Sequence, residues 1–391
     1  MFAALRTPRN PLLICVTLVS ALLVAACQPV PGTGSGPSVE AGTAVPVALL
    51  VPAGSGNTGD ETLAASLKQA AQLAISDLNG VKIDLRVYNT GAGPEQAAAM
   101  ATKAVDEGAK IILGPVFAES ANAAGLAVAS RGVSVLSFSN NTDIAGGNVF
   151  VLGPTFPNTA NRLAQFASAQ GKRSILIVHD QTPAGTIGAG AVQSAVARSG
   201  AAVAGIASYP FSQQGIIEAM PTISGRVKAG GVDAIFLTAD TAGALPLLAQ
   251  MLPENGVNPG QVKFIGLTRW DIPSATLALP GLQGGWFAMP DPNLNSRFKE
   301  RYETAFGAAP HPIAGLAYDG IAAIGALVKS GRPDALGRAA LTQPSGFVGV
   351  NGIFRLRPDG TNERGLAVAE IRNGQAVVID AAPRSFGMAG Y

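Results

Sequence analysis

Cysteine is nearly absent from this chain of 391 residues: there are two, Cys15 and Cys27. Both fall within the first 27 residues, so the body of the chain offers no thiol nucleophile, no disulfide framework and no cysteine metal site. Histidine is equally scarce. His179 and His311 are far apart in sequence, so no His/Cys cluster has metal-ligand spacing. Aromatic residues make up 6% and charged residues 13% of the chain, which leaves Ala, Val, Ile and Leu to build a core. With Arg6 and Arg9 set aside, 25 basic residues stand against 25 acidic ones. A nucleic-acid binder needs a basic surplus to release phosphate counterions, and none is visible. The GxSxG and HExxH patterns and a Cys/His pair are missing, so the chain reads as non-enzymatic, without metal or cofactor, while its scattered carboxylates leave a glycosidase pair open. What it has is apolar surface. At 48% hydrophobic it can offset the cost of ordering a chain with 48 Gly and 27 Pro, and its length suits two domains or lobes.

The N-terminus reads as an export signal. Arg6 and Arg9 precede an apolar run from Pro11 to Ala26, shorter than the ~20 residues a spanning helix needs. The run closes on Val24-Ala25-Ala26-Cys27, which resembles a bacterial lipobox with Cys27 as the lipidated residue; an ordinary signal peptide with an incidental cysteine is the other reading. Two acyl chains would give stable anchoring. Gln28, rather than Asp, follows the cysteine, which by that resemblance favours the outer membrane and a periplasmic body. Residues 28–42, QPVPGTGSGPSVEAG, read as a flexible tether of a few tens of Å at ~5–6 Å × √n.

From Val45 onward strand and helix patterns alternate. Val45–Val51, Ile83–Tyr88, Lys110–Leu113, Val133–Phe138 and Val149–Leu152 are strand-like; Asp60–Leu78, Pro94–Glu107 and Glu119–Ser130 have helical spacing. Pro154–Pro157 interrupts the rhythm, which then restarts with Thr159–Gln170, Ser174–Val178, Gly190–Ser199, Val203–Ser208, Ile216–Val227, Ala234–Leu237, Gly243–Leu252 and Val262–Gly266. Strand Trp286–Met289, helices Asn295–Phe306 and Ile313–Lys329, and two strand-like runs within Gly352–Ile379 complete it. Such alternation predicts right-handed βαβ units and parallel sheets covered on both faces. In open parallel sheets ligands sit beyond the carboxyl ends of the strands, which selects the loops Pro52–Gly59, Val116–Ser120, Ser137–Thr142, His179–Gln181, Thr238–Thr241 and Thr268–Asp271.

Those loops match a known pattern. VALLVPAGSG, LRVYNTGAGPEQAAAMATKAVDEGAKIILGPVFAES and VSVLSFSNNTD resemble the first lobe of the leucine/isoleucine/valine-binding protein family, and GFVGVNGIFRLRPDGTNERGLAVAEIRNG resembles its closing hairpin. The resemblance spans about residues 44–380. It implies the two-lobed α/β type I periplasmic binding fold, each lobe a parallel sheet flanked by helices, with several inter-lobe crossings. The expected boundaries are signal 1–26, lipidated tether 27–42, lobe 1 43–155, lobe 2 156–290, a return to lobe 1 over 291–344, a return to lobe 2 over 345–382, and a tail 383–391. Crossings are expected near 155–158, 288–292 and 343–347.

Within that family, VYNTGAGPEQA, ILGPVFAES and SFSNNTDIAG look closest to lipoproteins described as penicillin-binding protein activators, which touch a peptidoglycan synthase. The alternative is a substrate-binding lipoprotein that delivers an amino acid or another small polar solute to an ABC permease. A monomer is expected in either case. The family's amino-acid carriers hold the α-carboxylate from first-lobe loops, which here implies Ser120, Ser139, Asn140 and Asn141. They face the α-amino group with an acid from the second lobe. Here that loop reads Gly266-Leu267-Thr268-Arg269-Trp270, with no acid until Asp271, so leucine, isoleucine and valine are expected to bind weakly or not at all.

Other candidates come from position. Gly54-Ser55-Gly56-Asn57-Thr58-Gly59 spells GxGxxG, but Tyr88-Asn89-Thr90 lacks the acid of a dinucleotide site, so Ser55 is taken as part of a loop approaching the ligand. Glu119 begins a helix whose partial positive charge favours an acidic residue or an anionic ligand group. His179, Asp240, Arg269 and Trp270 stand at second-lobe strand ends, Arg269-Trp270 pairing a fork-shaped cation with a ring; Asp319 reads as structural. Mass spectrometry of the mature N-terminus is expected to find acylated Cys27; an unmodified N-terminus elsewhere would end the lipobox reading.

Overall fold

A computed structural model of the chain describes residues 36–386, apart from 41 and 92. The signal, Cys27 and most of the tether lie outside the described residues. The tether's last residues do not behave as linker: Val39 is buried in a hydrophobic core and its N–H donates to Pro333 O at 2.9 Å. One apolar side chain with a core to enter overrides the Pro/Gly/Ser composition around it, which corrects the tether's end.

The first sheet has five parallel strands in the order β2-β1-β3-β4-β5: β1 Val45–Val51, β2 Ile83–Asn89, β3 Ile111–Leu113, β4 Val135–Ser137 and β5 Val149–Val151. Helices α1 (Thr58–Ser76), α2 (Pro94–Asp106) and α3 (Ala118–Val128) connect its first strands. Helix α1 starts where Asn57 Oδ1 accepts from Gly59 N–H at 2.7 Å and buries Leu63, Leu67, Ala70 and Ala74. Burying Leu67 fully contributes roughly 1.5–3 kcal/mol before conformational costs. Helix α2 buries only alanines, Ala97, Ala101 and Ala104, which lets it pack closely against α3.

The second sheet has seven strands in the order β15-β14-β10-β9-β8-β6-β7. Strands β6 (Ser174–Asp180), β7 (Ala202–Tyr209), β8 (Ala234–Leu237), β9 (Lys263–Gly266) and β10 (Trp286–Met289) are parallel. Strands β14 (Ala367–Arg372) and β15 (Gln375–Asp380) are antiparallel additions. Helices α4 (Phe156–Ala169), α5 (Pro183–Arg198), α6 (Gln213–Lys228) and α7 (Leu245–Glu254) belong to this lobe. Helix α5 begins seven residues before the expected Gly190, because Thr182 Oγ1 caps Gly185 N–H at 3.0 Å and Pro183 suits the first turn. Helices α8 (Pro292–Phe306) and α9 (Gly315–Val328) return to the first lobe, where Phe298, Tyr302, Leu316, Ile321 and Ile324 join its core.

The closing segment holds more strands than the two runs expected. Strands β11 (Phe347–Gly349), β12 (Gly352–Leu356) and β13 (Asn362–Arg364) form a separate antiparallel sheet before β14 and β15. Phe347, Val350, Phe354 and Leu356 sit in the first-lobe core, whereas Leu366 and Val368 sit in the second. The third passage between lobes therefore lies between residues 356 and 366, later than the expected 343–347. The apolar faces of β11 and β12 found cover under α9, which hydropathy could not assign to one lobe over the other. The first passage follows Leu152 and the second follows Met289.

A buried ion pair stands where the first and third passages meet. Arg364 Nη1 donates to Asp319 Oδ2 at 2.8 Å, with the two side chains 4% and 0% exposed. Asp319 also accepts from Val350 N–H at 2.8 Å and Asn351 Nδ2 at 3.1 Å. Arg364 Nε donates to Leu152 O at 2.9 Å, and Asn362 Nδ2 donates to Val151 O and Gly153 O at 2.7 and 2.8 Å. Gly349 is required here, since a Cβ on it would collide with Asp319 Oδ1. Asp319→Ala strands a buried cation and is expected to cost about 3–5 kcal/mol by urea denaturation, while a double replacement of both partners by apolar residues recovers part of it. A loss below about 1 kcal/mol would contradict this placement.

Candidate functional site

The first-lobe loops beyond the strands are largely closed on themselves. In the glycine loop, Gly54 N–H donates to Glu61 Oε1 at 2.6 Å, and Ser55 Oγ donates to Asp60 Oδ2 at 2.8 Å while accepting from Asn57 N–H at 3.1 Å. After β4 a ladder of short-range bonds runs on. Ser139 N–H reaches Ser137 Oγ at 3.1 Å, Asn141 N–H reaches Ser139 Oγ at 3.1 Å, and Asp143 N–H reaches Asn141 Oδ1 at 2.9 Å. Ser and Asn side chains at strand ends cap neighbouring amides in this way. The backbone amides of Ser139 and Asn141 are thereby occupied by the chain's own oxygens.

Ser120, at the third position of α3, is 1% exposed, and its Oγ has no hydrogen-bond partner. No side chain caps that helix, whose N-cap residue is Phe117. In the second lobe, His179 Nδ1 lies 2.6 Å from Asp180 O, and Asp240 is exposed after β8. Burial, then the carboxylates of Asp180 and Asp240, push the Tyr209 phenol up, so it stays protonated. Trp270 is 0% exposed and packs in the second-lobe core with Phe287. It occupies space that Gly266 and Gly285 leave, and a Cβ at Gly266 would collide with its ring. The expected role of Trp270 as a ring facing the ligand is corrected, because burying a large aromatic surface outweighs leaving it at a loop tip. Arg269 is held by Asp271, which accepts from Nε at 2.8 Å and from Nη2.

Only two of the expected residues, Asn140 and Arg269, line the cavity at the junction of the lobes, whose volume is about 260 Å³. Pro312, Ile313 and Leu316 at the start of α9 line its first-lobe side, and Leu267, Thr268, Ala288 and Met289 its second-lobe side. Pro154, Pro290 and Arg364 close it from the passages, and Asn351 from the turn between β11 and β12. Ser55, Ser120, Ser139, Asn141, His179, Asp240 and Trp270 do not line it. Sequence reasoning missed Asn351 and Arg364. Both lie in the segment read as a closing hairpin, and the available signal was a charged residue flanked by Gly365 and a strand-like run. His311 precedes Pro312, and burial holds its imidazole below the usual range, so it is neutral at neutral pH. Among the described residues, no group of three His, Cys, Asp or Glu side chains is placed to hold a metal ion, and no helix is long and apolar enough to cross a membrane. An interior this apolar, with fixed hydrogen-bond donors and no nucleophile–base pair, suits binding of a small molecule.

A family model described as periplasmic binding protein matches residues 44–376. No curated protein matches the sequence. Among solved structures, a Rhodospirillum rubrum protein assigned to branched-chain amino acid ABC transport aligns at TM-score 0.74 and 21% identity, covering 86% of this chain and all of its own (100%). An ABC-type branched-chain amino acid transporter of Rhodopseudomonas palustris aligns at 0.71 and 17%, covering 88% and 96%. An ABC transporter substrate-binding protein of Desulfitobacterium hafniense in complex with Leu aligns at 0.64 and 19%, covering 86% and 100%. At these identities the likeness establishes the fold.

The chain has two tryptophans, and Trp270 and Trp286 are 0% and 6% exposed. Iodide is expected to quench native fluorescence weakly and unfolded fluorescence strongly; strong quenching of the native protein would place Trp270 at the surface instead.

Proposed function

The chain belongs to the periplasmic binding protein family, and we propose that it is a non-enzymatic, monomeric substrate-binding protein that takes a small solute between its lobes and presents it to an ABC permease. The observation that carries this reading is the junction cavity, bounded by Asn140 and Ile313 from one lobe and by Arg269 and Met289 from the other. A solute touching both lobes favours one inter-lobe arrangement by its differential affinity, with the passages acting as the hinge. Lipidation at Cys27, a periplasmic body and the lobe boundaries as adjusted above belong to the same proposal.

A second reading, regulation of a peptidoglycan synthase by a penicillin-binding protein activator-like lipoprotein, is favoured by the sequence strings VYNTGAGPEQA and SFSNNTDIAG and by Gln28, which suits the outer membrane rather than the inner membrane of an importer. A thermal-shift screen of small solutes separates the two. A solute at 100 Kd is expected to stabilise the protein by about 2.7 kcal/mol. Asn140→Trp, at an exposed position on the cavity wall, is expected to weaken that solute at least about tenfold, roughly 1.4 kcal/mol. No stabilising solute, together with co-purification of a synthase, would turn the reading to the second.

A further inference from the structure

The cavity's walls and its charges restrict what it can hold. Phe156, Leu267, Met289, Ile313 and Leu316 make most of the surface apolar, so the body of a solute must be apolar too. Among the described residues lining it, none is Asp or Glu, and the two charged ones are Arg269 and Arg364. Two acids beside wall residues are committed. Asp271 is bound by Arg269, and Asp319, 0% exposed, is filled by Arg364, Val350 N–H and Asn351 Nδ2. A solute ammonium would therefore meet two guanidinium groups and no carboxylate, and would lose its water without a partner.

Arg364 has the opposite requirement. Its Nε is taken by Leu152 O and its Nη1 by Asp319, while Phe354 covers the guanidinium at 4.9 Å from the ring centre. Its Nη2 is buried and has no hydrogen-bond partner. A buried donor left unpaired is unfavourable, and although protein atoms cover this one, the residue that carries it lines the cavity.

We propose that the solute is a small apolar molecule with a hydrogen-bond-accepting end, a carboxylate or carbonyl oxygen, and no ammonium group, and that Arg364 sets this specificity, its Nη2 turning out of its protein cover to donate to that end when the solute enters. The assignment rests on the reading of the cavity as the solute site. It also accounts for why an acid is missing from the loop Gly266–Trp270: the site has no amine to neutralise.

Calorimetry on the purified protein with four probes of one branched apolar shape tests it: 4-methylpentanoate, 4-methylpentanamide, leucine and 3-methylbutylamine. The pentanoate or the pentanamide is expected to bind at least tenfold more tightly than leucine, with the amine weakest. Comparing the first two tells a charged from a neutral acceptor. The tightest probe should shift the Arg364 side-chain signals in nitrogen-labelled protein, a readout that needs no variant. Arg364→Lys, where it folds, should weaken that probe at least tenfold. Leucine or the amine binding tightest would overturn the proposed class while leaving the cavity as the site, and so would unshifted Arg364 signals on binding of the acid. Failure of all four probes and of the wider solute screen would overturn both.

Discussion

The buried pair of Asp319 and Arg364 is the constraint around which the molecule is arranged. Neither charge can lie inside a protein alone, so each fixes the groups that compensate it. Asp319 is on α9 in the first lobe, Arg364 is on the last passage, and their remaining hydrogen bonds reach Leu152, Val350 and Asn351. Asn362 and Asn158 add bonds between the same segments, Asn158 Oδ1 accepting from Arg364 N–H at 3.1 Å. The first and third passages, which the sequence separates by about two hundred residues, are thereby held in one place. Lobe motion has to occur around this knot, because opening it would leave two unpaired charges in a dry interior.

The junction cavity takes its character from the same knot. Polar recognition in an open parallel sheet usually falls to loops beyond the strands. Here those loops are mostly satisfied from within: Glu61 and Asp60 close the glycine loop, and Ser137, Ser139 and Asn141 close the loop after β4. The donors that remain unpaired sit deeper. Arg364 Nη2 is one, and Ser120 Oγ, outside the cavity wall, is another. Under the proposed function, specificity shifts from the loop tips toward the hinge, and closure and ligand chemistry are sensed through the same residue.

Much of this was legible from residue order. The alternation of strand and helix from Val45, its restart after Pro154 and the motif strings led to two α/β lobes with repeated passages, and the sheets follow that order. Charge balance and scarce cysteine argued against nucleic-acid and thiol chemistry. These features are local: the apolar period of a strand or helix and the presence of a residue type do not depend on what packs against them. The strand-end rule likewise led to Asn140 and Arg269, since it follows from sheet topology alone.

Tertiary structure decided the rest. Trp270 looked like a surface ring beside a cation, but Gly266 and Gly285 leave a space for it in the core. Val39 looked like linker and became core; Phe347–Leu356 looked like second lobe and packed under α9 in the first. Arg364 looked like one charge in a closing hairpin, and its importance appears only once Asp319, 45 residues earlier, lies against it. In each case the outcome turned on a partner outside the segment itself. Which side of a loop is buried, and which buried charge finds its counter-ion, are properties of pairs brought together by folding, and no single segment carries them.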